Sequence, residues 1–129
     1  MNRSLLRTVT TLVGAFFTLQ GVAWIAAPAR AAAGLGMPLL DGVARSTQIG
    51  DLSMFFLMAG ATILAGSRPG RARLLHVPAG LIGGAAVTRT LAWGLQGAAF
   101  ATTFIAVEIV TGVLLLAAAR TLDDGFRAV

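Results

Sequence analysis

Apolar positions gather into four runs along the chain, at about 8–28, 46–66, 74–95 and 98–119, with most polar residues between them. Each run is roughly 20 residues, the length at which a helix crosses a hydrocarbon core of about 30 Å. Barrel strands would be half as long and would alternate, which these runs do not. In lipid every backbone polar group must then be satisfied within its own segment, and that leaves helices. The pattern predicts an all-α integral membrane bundle of four transmembrane helices in a single domain, 1–129.

The links refine this picture. "SRPGRAR" (67–73) is a tight basic turn in which Pro69-Gly70 ends one helix and Arg68, Arg71 and Arg73 sit among headgroups. "LQGAA" (95–99) is short and uncharged, so the third and fourth helices form a close antiparallel hairpin. "ARAAAGLGMPLLDGVAR" (29–45) is too short and too broken by Gly and Pro to span, and reads as an interfacial or partly re-entrant segment. The start of the chain also resembles a secretory signal, with Ala29-Arg30-Ala31 as a cleavage site. Its apolar stretch is longer than a signal core and is interrupted by Gln20, so it reads as a retained helix.

Composition agrees. Hydrophobic residues make up 57% and charged residues 12%, too few charges to solvate a soluble globule of this size. A net charge of +5 could suggest nucleic acid, but the arginines bracket apolar runs, as membrane topology requires. Arg3, Arg7, Arg68, Arg71, Arg73, Arg120 and Arg127 fall on one side and Arg30 and Arg45 on the other, which places both termini in the cytoplasm. All ten basic residues are Arg, and the Ala, Gly and Arg content is that of a GC-rich bacterial genome, so the expected location is a bacterial inner membrane. Cysteine is absent and His76 is the one histidine, so no thiolate or multi-histidine metal site is expected.

The remaining charges carry the candidate chemistry. A charge at the bilayer centre costs about 2.5–3.5 kcal/mol on insertion scales, so it faces the bundle interior and finds a partner. Arg89 lies about six residues from the outer end of its run and Glu108 about ten, roughly 9 and 15 Å deep at 1.5 Å per residue. The short 95–99 link makes their helices neighbours, so an Arg89–Glu108 pair with bidentate geometry is expected. Asp51 lies in the outer part of the second run with Arg45 just above it, and Gln20 lies in the outer part of the first. All four helices thus place a polar group in the outer half. The layer Gln20, Arg45, Asp51, Arg89 and Glu108 is the candidate ligand-binding or structural site, and its formal charges sum to zero.

Trp24 and Trp93 fall near the outer interface and read as an aromatic belt; Trp93, four residues after Arg89, could also wall a pocket. Phe16, Phe17, Met54, Phe55 and Met58 read as packing. Gly80 and Gly84 form a GxxxG pair, and Gly14, Thr18 and Gly21 line one face of the first helix; both allow close approach of another helix in lipid.

Several of these features together carry a resemblance. A first helix ends in "AAP". Arg45 and Gly50 open the second in "RSTQIGDLS". "GGAAVTRTLAWGLQG" holds Arg89 between glycines, and "VEIV" holds Glu108. In this order the chain resembles the small bacterial four-helix membrane proteins of domain-of-unknown-function family 4345. The resemblance implies a four-helix membrane bundle with recurring polar positions at Arg45, Arg89 and Glu108, and no activity. Asp51 and Gln96 depart from its pattern, which has a glycine and an acidic residue there.

No complete catalytic set stands at one depth, and no cofactor or metal is expected. The expected function is an accessory or scaffold subunit of a larger membrane complex. The alternative is a binder of a small amphipathic ligand, lipid or quinone, at the polar layer. The expected partners are membrane lipids and other membrane-protein subunits or a second copy, not nucleic acid.

Overall fold

The computed structural model describes residues 2–127, with backbone alone for 124–127. The Arg127 side chain, counted above for topology, lies outside the described residues. α1 (Arg3–Ala26) is followed by a short α2 (Pro28–Gly34), then α3 (Gly42–Gly66), a 3-10 turn (Ala72–Leu75), α4 (His76–Gln96) and α5 (Thr102–Arg127). Four helical stretches, Arg3–Ala26, Gly42–Gly66, Ala72–Gln96 and Thr102–Asp123, are long and apolar enough to cross a membrane. An even number of crossings puts both termini at one end of the bundle.

Local chemistry sets the boundaries, which differ from the hydropathy runs by up to eight residues. α1 begins at Arg3 because Asn2 Oδ1 accepts from Ser4 N at 3.0 Å, capping the helix before the apolar run starts. It ends at Ala26 because Ala27 precedes Pro28, and a residue before proline is pushed out of the α region. Pro28 then takes the first position of α2, where its missing N–H costs nothing. α3 starts at Gly42, four residues earlier than the apolar run. α4 stops at Gly97, whose φ of 66° is left-handed and free of strain only in glycine. Residues 98–101 are therefore non-helical, and α5 starts at Thr102 rather than near 98.

The helices pack as two pairs, α1 with α3 and α4 with α5. The pairs join at the end that carries the termini. There Leu6, Ile63, Leu75, Ile82, Leu115 and Leu122 share one buried cluster with Ala72, Ala79, Ala118 and Ala119. Gly14 and Gly21 let α1 approach α3: a Cβ at Gly14 would meet Ile63 and Leu64, and one at Gly21 would meet Leu57. The α1 face read from Gly14, Thr18 and Gly21 thus serves contact within the chain. Gly80 and Gly84 do not; among the described residues no other element lies within 4 Å of a Cβ at either. α4 meets α5 instead at Gly83 and Gly112.

At the opposite end, α2 and the strand of coil after it fold over α1 and α3. They bury Trp24 to 1% exposure with Ala31 and Ala32, so Trp24 belongs to a core and not to an interfacial belt. The segment 29–45 does not span, as expected. Gln48 holds it down: Gln48 Oε1 accepts from Leu40 N at 2.9 Å, and Nε2 donates to Pro38 O at 3.0 Å. Gln48→Leu keeps the volume and removes both bonds. The expected cost is about 1 kcal/mol, confined to this flap. Hydrogen exchange should quicken at the Leu40 amide and its neighbours while α4 and α5 stay unchanged.

Candidate functional site

Between the two helix pairs, in the half of the bundle away from the termini, lies a crevice of about 690 Å³. That is within the range of small-molecule sites, about 300–1,000 Å³. It exists because the pairs are fastened together at the terminal end only, and α2 roofs the other. Leu52, Phe55 and Phe56 face it from α3, and Ile82, Ala85 and Arg89 from α4. Leu12 and Phe16 of α1 and Val107 of α5 line it too and are exposed, so it opens sideways between α1 and α5. In a bilayer that opening faces lipid.

The wall is apolar apart from a few groups. Arg89 Nε donates to Glu108 Oε1 at 2.8 Å, joining α4 to α5. Arg89 is seven residues before the end of α4 and Glu108 six after the start of α5, so the late start of α5 brings both to one depth, roughly 10 Å from their helix ends. The guanidinium carbon lies 5.0 Å from the centroid of the Phe104 ring, a cation–π contact. Phe104 stands one turn before Glu108 on the same face of α5, so the helical period holds the signal for it.

The pair is single, not bidentate. The Arg89 side chain makes no other hydrogen bond, and Glu108 Oε2 is buried without a partner, among the described residues. With Nε bonded to Glu108 and the guanidinium carbon over the Phe104 ring, the two terminal amino groups remain as donors. The Arg89 side chain is 38% exposed and that of Glu108 15%, so the cation is the half of the pair that meets the crevice. Gln20, Thr103 and Thr111 complete the polar lining.

Three of the five residues of the expected polar layer therefore converge: Gln20, Arg89 and Glu108. Arg45 does not join them. Asp41 precedes it by one helical turn, and Arg45 donates to Asp41 Oδ1 at 2.6 Å and to Leu40 O at 2.7 Å, outside the crevice. That pairing also explains why Asp41 precedes α3 without a side-chain cap bond. Asp51 does not join either. Leu52 faces the crevice, and a one-residue step turns a helix by about 100°, so Asp51 is exposed on the side of α3. It has no hydrogen-bond or ion-pair partner among the described residues.

Trp93 is 53% exposed, stacks edge-on with Phe100 at 5.2 Å and does not wall the crevice. Of the residues read as packing, Phe16, Phe17 and Phe55 line the crevice, whereas Met54 and Met58 are exposed on the outside of α3. His76 Nδ1 lies 3.0 Å from Arg73 O at the start of α4, remote from this site.

In chemical terms the site offers guanidinium donors in an aromatic pocket that is open at its side, with one carboxylate beside them. Glu108 is its single titratable acid. Among the described residues, no three His, Asp or Glu side chains come together to hold a metal ion. The chain matches no family model, no curated protein and no solved structure.

Proposed function

We propose that this chain is a multi-pass protein of a bacterial inner membrane, with both termini in the cytoplasm, that binds a small amphipathic molecule in the crevice. The observation that carries this reading is the sideways opening of an apolar, phenylalanine-rich pocket onto an Arg89 that has spare donors. An apolar tail entering from the bilayer would lie along Leu12, Phe16 and Val107. Its polar head would reach Arg89 and Gln20. The resemblance to family 4345 implies a membrane bundle and adds no ligand.

A second reading, a subunit of a larger membrane complex, rests on a different observation. Asp51 is an exposed carboxylate with no side-chain partner among the described residues, in a helix long and apolar enough to span, and Gly50 beside it leaves room for a close neighbour. A partner helix with a cation at that depth would neutralise it.

One experiment addresses both. Native mass spectrometry of protein gently extracted from its own membrane should show a bound small molecule of defined mass. Ala85→Trp, which fills the crevice from α4, should remove that mass while circular dichroism stays helical. Retention of the same mass by the variant would overturn the ligand reading. A stoichiometric protein partner without a ligand would favour the subunit reading.

A further inference from the structure

We infer that the crevice selects an uncharged head group with an oxygen acceptor, and that Glu108 is the residue that sets this preference. The inference rests on the ligand reading above and narrows it to a chemical class: a long-chain molecule whose head carries a carbonyl or ester oxygen and no net charge.

Charge balance at the crevice sets this preference. Arg89 and Glu108 are the charged side chains that line the crevice, and they already compensate each other at 2.8 Å. The other polar lining groups, Gln20, Thr103 and Thr111, are neutral. An anionic head on Arg89 would leave the site with one uncompensated negative charge in an apolar wall, and burying an unpaired charge is strongly unfavourable. A cationic head meets the wrong partner, because the guanidinium is the exposed half of the pair and Glu108 Oε2 is buried behind it. A neutral acceptor avoids both costs. It takes hydrogen bonds from the terminal amino groups of Arg89, which have no partner among the described residues, and leaves the Nε–Glu108 bond intact.

Geometry adds to this. Glu108 holds Nε, and the guanidinium carbon lies over the Phe104 ring, 5.0 Å from its centroid. The amino edge is therefore held in one orientation before any ligand arrives, which lowers the ordering cost of binding. Glu108 acts as a positioning residue that also excludes anions.

The test uses the full chain in nanodiscs of a neutral phospholipid, with native mass spectrometry as the readout. Two probes of one chain length are compared: a fatty acid methyl ester, and an alkyl sulfonate that is charged at every pH. The wild type should retain the ester about tenfold or more over the sulfonate. Glu108→Gln leaves the Arg89 charge uncompensated and should reverse the order. Arg89→Gln/Glu108→Gln restores neutrality without either charge; it should again reject the sulfonate, and it serves if the single variant does not fold. Equal retention of both probes by the wild type, or a sulfonate preference in the doubly neutral variant, would overturn the inference and leave the ligand site standing. Failure of the wild type to retain either probe would instead count against the ligand site.

Discussion

Gly60→Ala is expected to lower the stability of the bundle by about 2–3 kcal/mol, at the upper end of what overpacking costs. A methyl group at Gly60 falls 2.5 Å from Thr18 N and 2.9 Å from Gly14 O, and closer still to Thr18 Oγ1. Two of these obstacles are backbone atoms of α1 and cannot rotate away. The third is fixed by its own bond, since Thr18 Oγ1 donates to Gly14 O at 2.9 Å. Relief therefore requires α1 and α3 to move apart along their main contact. In lipid there is no hydrophobic drive to hold them together once close packing is lost. Gly80→Ala is the matched control. Nothing lies within 4 Å of its new methyl, and alanine is the better helix former by about 1 kcal/mol, so this variant should be neutral or slightly more stable. Unfolding in mixed detergent micelles with increasing dodecyl sulfate would measure both. Equal stability of Gly60→Ala and wild type would mean that α1 and α3 do not meet as described. A loss at Gly80 would place another chain on that open face of α4.

That contrast also marks where sequence patterns stop being informative. Apolar length was enough to find four spans, because a bilayer imposes one length on every crossing helix. The α1 face of Gly14, Thr18 and Gly21 was visible by spacing. Its receiving surface on α3 was not: Gly60 has no small residue four positions away that repeats the motif, and only the pairing of helices shows what it meets. The GxxxG pair at Gly80 and Gly84 is the more recognisable pattern, yet a Cβ at either glycine would meet no other element among the described residues. A motif reports that close approach is possible; the neighbour comes from the topology.

The candidate site divides in the same way. Arg89 and Glu108 were legible as partners because a short link forces their helices together and each charge needs the other. Gln20 was placed by depth alone, and it does line the crevice. Depth misled for Asp51, since depth carries no information about rotation and the neighbouring Leu52 takes the inward position. Arg45 was drawn to the layer by its height, but Asp41 one turn before it offered a local partner first. Trp24 reads as interfacial because an interfacial or re-entrant 29–45 segment does not by itself say which side chains it covers; α2 buries Trp24. The crevice itself, formed by two pairs joined at one end, is a property of all four helices and has no signature in any one of them.

The ion pair gives the second large effect, and its size depends on which half is removed. Arg89→Leu leaves the Glu108 carboxylate, 15% exposed, without its counter-charge inside the bundle. Breaking a buried pair from one side costs about 3–5 kcal/mol, and this variant should fall near that range because it also loses the contact with Phe104. Glu108→Leu leaves the Arg89 cation, which at 38% exposure can turn toward the mouth of the crevice, so about 1–2 kcal/mol is expected. The double variant should be milder than either, within about 1 kcal/mol of wild type, because two leucines close the same space without a charge to bury. Dodecyl sulfate unfolding of the four proteins closes a double-mutant cycle, and the coupling should be large and favourable. Losses that simply add would mean that each residue stabilises the bundle through other contacts. The ordering follows from geometry: Glu108 depends on Arg89 more than Arg89 depends on Glu108. An arginine in that position keeps donors to spare after its structural bond is made, and it lines the crevice between the two helix pairs.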